Sequence, residues 1–136
     1  MTLDWMMSMI LLVDDSDTCI FLHRKIIKLA LPAATIHTAR NGQEALQFLL
    51  EHRDRLPKVV FLDLNMPVMN GFKFIEAFNA LDLPDKEKIT IVVISSSEDS
   101  EDVRQSQELG IEHYMVKPLT VAKLKAMAPV IHLTIR

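Results

Sequence analysis

Two kinds of segment alternate along this chain of 136 residues, and their alternation limits the folds that it can adopt. The first kind is a short run that predicts a strand: three runs are continuous, apolar and rich in β-branched residues, which is typical of strands buried on both faces, and two are shorter and more polar, as edge strands would be. The second kind repeats apolar residues at helical spacing. Five such pairs follow one another, which predicts an α/β fold with a doubly wound, five-stranded parallel sheet and right-handed crossovers.

The boundaries of these segments come from the apolar runs and from local helix signals. Asn41 followed three residues later by Glu44 resembles a capping box, and Gly110 is a typical helix stop. The first helix is expected to place four apolar residues on one face, with a second apolar set beside it: Cys19, Leu22, Ile26 and Leu29, then Ile20, His23, Ile27 and Ala30. The predicted strands are 9–13, 35–39, 59–62, 89–94 and 113–116, and the predicted helices are 17–30, 42–53, 71–81, 98–109 and 120–128.

Composition excludes several classes of protein. Lys and Arg number 15 against 18 Asp and Glu, so the net charge of −3 offers no basic surface for DNA. The single cysteine, Cys19, excludes an internal disulfide framework and is interpreted as a small buried residue. No apolar run approaches the roughly 20 residues that membrane insertion requires, and no export signal is recognisable, so we expect a cytoplasmic protein.

The length fits one domain, with a core over about 8–128 and a C-terminal tail over 129–136. Within that tail, residues 130–136 alternate apolar and polar side chains with a period of two. Two interpretations of the alternation stay open. The tail is either a frayed or self-packed terminus, or a strand-like arm that pairs with a partner's edge or with a second copy in a homodimer.

Polar residues follow four of the predicted strands. Asp14 and Asp15 follow the first strand, Asp63 follows the third, Ser95 begins the serine run 95–97 after the fourth, and Lys117 follows the fifth. In a doubly wound sheet, ligands bind beyond the carboxyl ends of the strands, so these side chains are expected to share one edge.

The chemistry of this set favours phosphoryl transfer. Three carboxylates in close proximity disfavour one another's charge, and Mg²⁺, which prefers oxygen ligands, removes that conflict. Lys117 supplies a positive charge and Ser95 a hydroxyl donor. A carboxylate nucleophile, a cation, a lysine and a hydroxyl together meet the needs of phosphoryl transfer, which are mostly positioning and charge neutralisation.

Each of these residues also has an ordinary structural explanation. An Asp pair after a strand is commonly a helix N-cap, and Asp63 before a proline-containing loop could form a turn. Ser95 could begin a helix, and Lys117-Pro118 could be a solvated loop. The occurrence of all four features at the same edge of the sheet favours the functional interpretation.

Four segments together resemble the receiver domain of response regulators in two-component signalling, of the single-domain, chemotaxis-regulator type. The segments are 11–16 (LLVDDS), 62–71 (LDLNMPVMNG), 93–97 (VISSS) and 114–118 (YMVKP). The resemblance covers about residues 8–128 and implies a flavodoxin-like fold with strand order 2-1-3-4-5.

The resemblance implies a phosphoacceptor and a metal site. Asp63 would take a phosphoryl group from a phosphohistidine on a sensor histidine kinase or a phosphotransfer protein. Asp14 and Asp15 would bind Mg²⁺ together with Asp63 and the backbone carbonyl of Asn65. The residue type at Asn65 is one that family members vary, and an asparagine there could orient an attacking water.

The resemblance also implies a catalytic pair and a switch. Ser95 and Lys117 would each contact a phosphoryl oxygen, Ser95 in place of the more frequent threonine. Tyr114 occupies the position of the switch aromatic, whose ring moves with Ser95. The Lys117-Pro118 peptide bond would be cis. The helix 98–109 has few large apolar residues, so we expect it to pack weakly and, with strand five and the last helix, to carry the output.

The function expected from all this is that of a stand-alone response regulator that signals by a conformational change to an unidentified downstream protein. It would be no enzyme beyond catalysing its own phosphorylation and dephosphorylation. Two alternatives stay open: a degenerate receiver that binds partners without phosphate, and an aspartate-nucleophile phosphohydrolase. The second is disfavoured because Asn65 stands where such enzymes place a second acid.

Overall fold

Five strands alternate with five helices in the computed structural model, which describes residues 9–96 and 99–129. The strands are β1 (Met9–Val13), β2 (Thr35–Ala39), β3 (Val59–Leu62), β4 (Thr90–Ser95) and β5 (His113–Val116). The helices are α1 (Asp17–Ala30), α2 (Gly42–Glu51), α3 (Gly71–Ala80), α4 (Ser100–Glu108) and α5 (Val121–Met127), with a short 3-10 turn at Lys86–Lys88. The predicted tail pattern over 130–136, the third serine of the run at 97 and the expected helix start at 98 lie outside the described residues.

All pairings in the sheet are parallel, and the strand order is β2-β1-β3-β4-β5. The predicted α/β, flavodoxin-like fold is therefore confirmed. Val13 is level with Leu62, and Leu62 is level with Val93. This register brings the carboxyl ends of the three central strands to one edge of the sheet.

Two apolar cores cover the two faces of the sheet. Successive strand residues point to opposite faces, so Ile10 and Leu12 pack on the side of α1 and α5, while Leu11 and Val13 pack on the side of α2 and α3. Every residue of β1 and β3 is buried. Continuous burial explains why these strands read as unbroken apolar runs in the sequence.

Of the two neighbouring apolar stripes predicted on α1, the structure buries the second. The helix buries the second set, Ile20, His23, Ile27 and Ala30, whereas Leu22 and Leu29 are 48% and 72% exposed. Both stripes have helical spacing, so periodicity alone does not tell which one faces the sheet. Packing against the sheet and α5 determines that the second set is the buried one.

Helix starts agree more closely with the sequence than helix ends. Side-chain oxygens of Ser16, Asn41, Asn70, Asp99 and Thr120 each accept a backbone N–H of the following helix. The predicted helix 42–53 ends two residues early, at Glu51, and its last buried residue is Leu49. The predicted strand 89–94 is displaced by one residue.

Candidate functional site

Two buried carboxylates stand side by side at the carboxyl edge of the sheet. Asp14 follows β1 and Asp63 follows β3, and the Asp63 N–H donates to the Val13 carbonyl at 2.9 Å, which extends the ladder by one residue. Asp14 and Asp63 are 2% and 5% exposed, while Asp15 is exposed. One carboxylate oxygen from each of the three lies within 4.8 Å of the others.

Neither Asp14 nor Asp15 caps the first helix, so the interpretation of this Asp pair as a helix N-cap is wrong. Ser16 is the N-cap of α1, with its Oγ accepting from the Cys19 N–H at 3.3 Å. Asp14 instead uses Oδ1 to accept the Ser16 N–H at 2.9 Å. That bond orients the Asp14 carboxylate and leaves Oδ2 to face the site.

The Lys117 ammonium lies between the two buried carboxylates. Its Nζ is 2.8 Å from Asp14 Oδ2 and 3.6 Å from Asp63 Oδ2. The Lys117 N–H donates to the Ser95 carbonyl at 2.7 Å, and the bond to Pro118 is cis, as the resemblance implies. Burial opposes the charge, but the hydrogen bond with Asp14 and the two negative charges outweigh it, so the pKa of Lys117 is raised.

The electrostatics of the edge single out Asp63. Burial, followed by the charge of Asp14, raises its pKa to about 6, although Lys117 and the Asn65 N–H act in the opposite direction. The Asn65 N–H lies 3.4 Å from Asp63 Oδ1. Burial first, and then the neighbouring acids, disfavour the charge of Asp63. The three carboxylates together form a donor set that suits a hard divalent cation, because the cation would neutralise negative charge that the single lysine leaves.

Ser95 and Tyr114, the predicted switch residues, are in contact. Ser95 is fully buried at the end of β4, and its side chain hydrogen-bonds with that of Tyr114 on β5. Burial raises the pKa of the Tyr114 phenol, the bond with Ser95 opposes that rise, and Asp102 and Asp99 add to it. The pKa of the phenol therefore responds both to the Ser95 hydroxyl at the edge of the sheet and to the charges at the acidic start of α4.

Two glycines that the sequence analysis did not single out shape the loop after Asp63. A Cβ at Gly71 would lie 2.6 Å from the Asp63 carbonyl oxygen, and one at Gly42 would lie 2.7 Å from Met69 Cγ. Gly42 donates its N–H to the Met69 carbonyl at 2.9 Å. A glycine opening a helix, where propensity disfavours it, was the signal available in the sequence.

The same loop contains a strained residue. Val68 has a φ of +67° and is 78% exposed. A β-branched side chain is rare in this left-handed region, because its Cβ substituents crowd the backbone. Strain of this kind persists only where neighbouring contacts hold the chain.

Cys19 is nearer to the site than the sequence suggested. It is only partly buried, and its Sγ lies 3.7 Å from Lys117 Nζ. The interpretation of Cys19 as a buried filler is therefore wrong. The thiol lies beside the lysine.

Across residues 9–96 and 99–129, no helix has the length and apolar character needed to cross a bilayer.

Comparison with known proteins agrees with this geometry. Residues 10–129 match the family described as the response regulator receiver domain. The transcriptional regulatory protein PrrA of Mycobacterium tuberculosis is 34% identical over 113 residues, which are 83% of this chain and 44% of PrrA, so the chain spans less than half of that relative. A two-component response regulator from Cytophaga hutchinsonii superposes with a TM-score of 0.83 at 29% identity, covering 92% of this chain and 96% of that one.

A second solved structure carries a metal. The Mn²⁺-bound form of the response regulator Rcp1 superposes with a TM-score of 0.72 at 27% identity, covering 95% of this chain and 99% of that one. Receiver domains act in phosphorylation-based signal transduction and bind a divalent cation at an acidic pocket. With the fold, the acidic edge and these likenesses in agreement, the chain belongs to the response-regulator receiver family of two-component signalling.

Proposed function

We propose that this receiver takes a phosphoryl group onto Asp63 from a phosphohistidine of a sensor histidine kinase or a phosphotransfer protein. The observation that carries the proposal is the Lys117 ammonium set between two buried carboxylates, 3.6 Å from Asp63 Oδ2. An ion pair in this position keeps Asp63 oriented. It also supplies the positive charge that an incoming phosphoryl group needs.

In the proposed reaction, an Asp63 carboxylate oxygen attacks the phosphorus of the donor. The new O–P bond gives an aspartyl phosphate, the P–N bond of the phosphohistidine breaks, and its electron pair leaves with the imidazole nitrogen. Lys117 and the Ser95 hydroxyl would each contact a phosphoryl oxygen. Because Lys117 directly follows β5 and already pairs with Asp14 and Asp63, its ammonium needs little rearrangement when charge develops.

Magnesium is the proposed cofactor. Asp14, Asp15, Asp63 and the backbone carbonyl of Asn65 would hold it, and the three carboxylates within 4.8 Å support that assignment. The cation would supply charge neutralisation at the phosphoryl oxygens. The similar regulator Rcp1 has a Mn²⁺-bound form, which supports a divalent cation as the cofactor.

The proposed output is a surface change read by a downstream protein. Phosphorylation adds about two negative charges at the edge. Ser95 would move towards them, and Tyr114, bonded to Ser95, would move with it and act on α4. The family places receivers in signalling rather than metabolism, and the net charge of −3 supports a protein as the partner rather than DNA. The single-domain organisation, the homodimer alternative and the cytoplasmic location stay predictions.

The test is incubation with a small phosphodonor and Mg²⁺ followed by intact mass measurement. Wild type should gain about 80 Da, roughly one phosphoryl group. Asp63→Asn should gain nothing, and the matched control Asp54→Asn, at an exposed aspartate in the α2–β3 connection, should behave as wild type. Chelation of the metal should suppress the adduct.

Other outcomes would favour the alternatives. No Asp63-dependent adduct in wild type would indicate a receiver that binds partners without phosphate. Multiple turnovers of small phosphate esters would indicate a phosphohydrolase.

A further inference from the structure

A buried histidine that the proposed function does not use lies close to the site. His23 is on the inner face of α1, only 2% exposed, among Ile20, Ile27 and Ala30. The other three of these buried positions are apolar. An imidazole in such a place has to be explained by a partner, because burying an unpaired polar group is unfavourable.

The partner of His23 is a backbone group 96 positions along the chain. The Leu119 N–H donates to His23 Nε2 at 3.4 Å. A backbone N–H is only a donor, so Nε2 must carry the lone pair and the ring must be neutral with its proton on Nδ1. Burial, and secondarily Lys117, lowers the pKa of His23 against the opposing charge of Asp14, which keeps the ring neutral.

Only one of the two ring nitrogens of His23 has a hydrogen-bond partner within the described part of the chain. His23 Nδ1 is buried and has no hydrogen-bond partner among the residues that the structure describes. A leucine of similar volume would carry no such unpaired donor. The bond to Leu119 is therefore the feature that distinguishes an imidazole from an apolar side chain at this position.

Leu119 lies two residues after Lys117, and the same segment is held from a second side. Lys123 of α5 donates through Nζ to the Val116 carbonyl at 2.8 Å and to the Pro118 carbonyl at 2.9 Å. His23 and Lys123 thus bracket the backbone of residues 116–119. The ammonium that this segment carries approaches Asp14 and Asp63.

We propose that His23 is a positioning residue for the phosphoryl site: its neutral imidazole accepts the Leu119 N–H and so holds the backbone that places the Lys117 ammonium beside Asp63. The inference rests on the proposed function and adds a residue on α1 to the machinery at the sheet edge. Small misplacements of a catalytic group can lower a rate up to about a hundredfold. We therefore expect the loss of the bond between His23 and Leu119 to lower the rate of phosphorylation measurably.

The experiment compares His23→Leu, which removes the acceptor, with His23→Gln, whose side-chain carbonyl can reach the place of Nε2. The rate of phosphorylation by a small phosphodonor is measured at saturating Mg²⁺ over a range of donor concentrations. His23→Leu should lower the maximal rate about tenfold while leaving Mg²⁺ affinity within about twofold. His23→Gln should restore most of the rate, and the control His113→Gln, at the opposite end of β5, should match wild type.

Nuclear magnetic resonance provides a readout that a packing role would not move. Nitrogen-15 spectra of wild type should show the Nδ1–H tautomer of His23. This measurement needs no variant, so it stays decisive if His23→Leu fails to fold.

The Nε2–H tautomer in wild type would overturn the inference. So would a wild-type rate in His23→Leu, or equal losses of rate and stability in the Leu and Gln variants, which would assign His23 to packing alone. A wild type that takes no phosphoryl group would overturn the proposed function and this inference with it. A phosphorylated wild type beside an unaffected His23→Leu would overturn this inference alone.

Discussion

Helix α3 comes after β3 and Asp63, helix α4 comes after β4 and Ser95, and the two helices pack against the rest of the molecule in different ways. α3 buries Gly71, Phe74, Ile75 and Phe78, two of which are aromatic. α4 buries only Ser106. Asp63, the proposed phosphoacceptor, is thus followed by a helix that is packed into the core, whereas Ser95, the proposed switch residue, is followed by a helix with little buried surface.

Local bonds rather than packing hold α4 together. Arg104 pairs with Glu101 and Glu108 on its exposed side, and exposed pairs of this kind contribute little to stability. The Ser106 hydroxyl donates to the Asp102 carbonyl at 2.9 Å, within the helix itself. A helix with few apolar contacts belongs to the part of a structure that opens or shifts most easily, which is what a switch element requires.

The strongest test of this difference is the removal of a large side chain from α3. Phe74 is fully buried, so Phe74→Ala should lower the free energy of unfolding by about 3–5 kcal/mol. Urea denaturation monitored by circular dichroism measures the loss. A loss below about 1 kcal/mol would contradict the view that α3 is anchored in the core.

The next largest expected effect is on the pH dependence of stability, and it comes from the Asp63 carboxylate, which follows β3. The folded pKa of Asp63 is about 6 against an ordinary 3.8, so the folded protein holds its proton more tightly than the unfolded chain. The free energy of unfolding should therefore fall as pH rises from about 4 to 6 and level off above that. Asp63→Asn lacks this loss and should exceed wild type by about 1–3 kcal/mol at pH 8 without divalent cations, but not at pH 4.

Urea denaturation between pH 4 and 8 measures this difference, and Mg²⁺ added to wild type should reduce it. Because α3 is packed into the core, we expect this stability difference to appear in global unfolding rather than in a local opening of α3. An Asp63→Asn variant with the pH dependence of wild type would contradict the assignment of the pH-dependent loss of stability to the Asp63 carboxylate.

The smallest effect is expected on α4. Val103 is only partly buried, so Val103→Ala should lower the free energy of unfolding by less than about 1 kcal/mol. A phosphoryl mimic with Mg²⁺ should change amide exchange over residues 99–109 and leave residues 71–80 nearly unchanged. Equal changes in both helices would remove the contrast, and no change over 99–109 would refute α4 as the responding element.

Much of the fold and of the candidate site could be predicted because both depend on short-range patterns. Buried parallel strands are continuous apolar runs, and residues such as Asp14 and Asp63 follow them directly. Once the fold is inferred, all strand ends share one edge, so distances across the sheet follow from topology.

The parts that could not be predicted depend on packing between distant segments. Leu29 and Ile27 both lie on apolar stripes of α1, and only the sheet and α5 decide which is buried. The bond from Leu119 to His23 joins residues 96 positions apart, and no local pattern contains it. The contact of Gly42 with Met69 likewise belongs to two elements at once.

The loop from Asp63 to Gly71 is held at its start, its middle and its end. Asp63 bonds to Val13, Met69 bonds to Gly42, and the Gly71 N–H donates to the Leu64 carbonyl at 2.9 Å. Exposed loops ordinarily tolerate insertions and deletions. Here a change of one residue in length would displace at least one of these bonds, so the loop can vary in side chains, as at exposed Val68, while its length is as constrained as that of a strand.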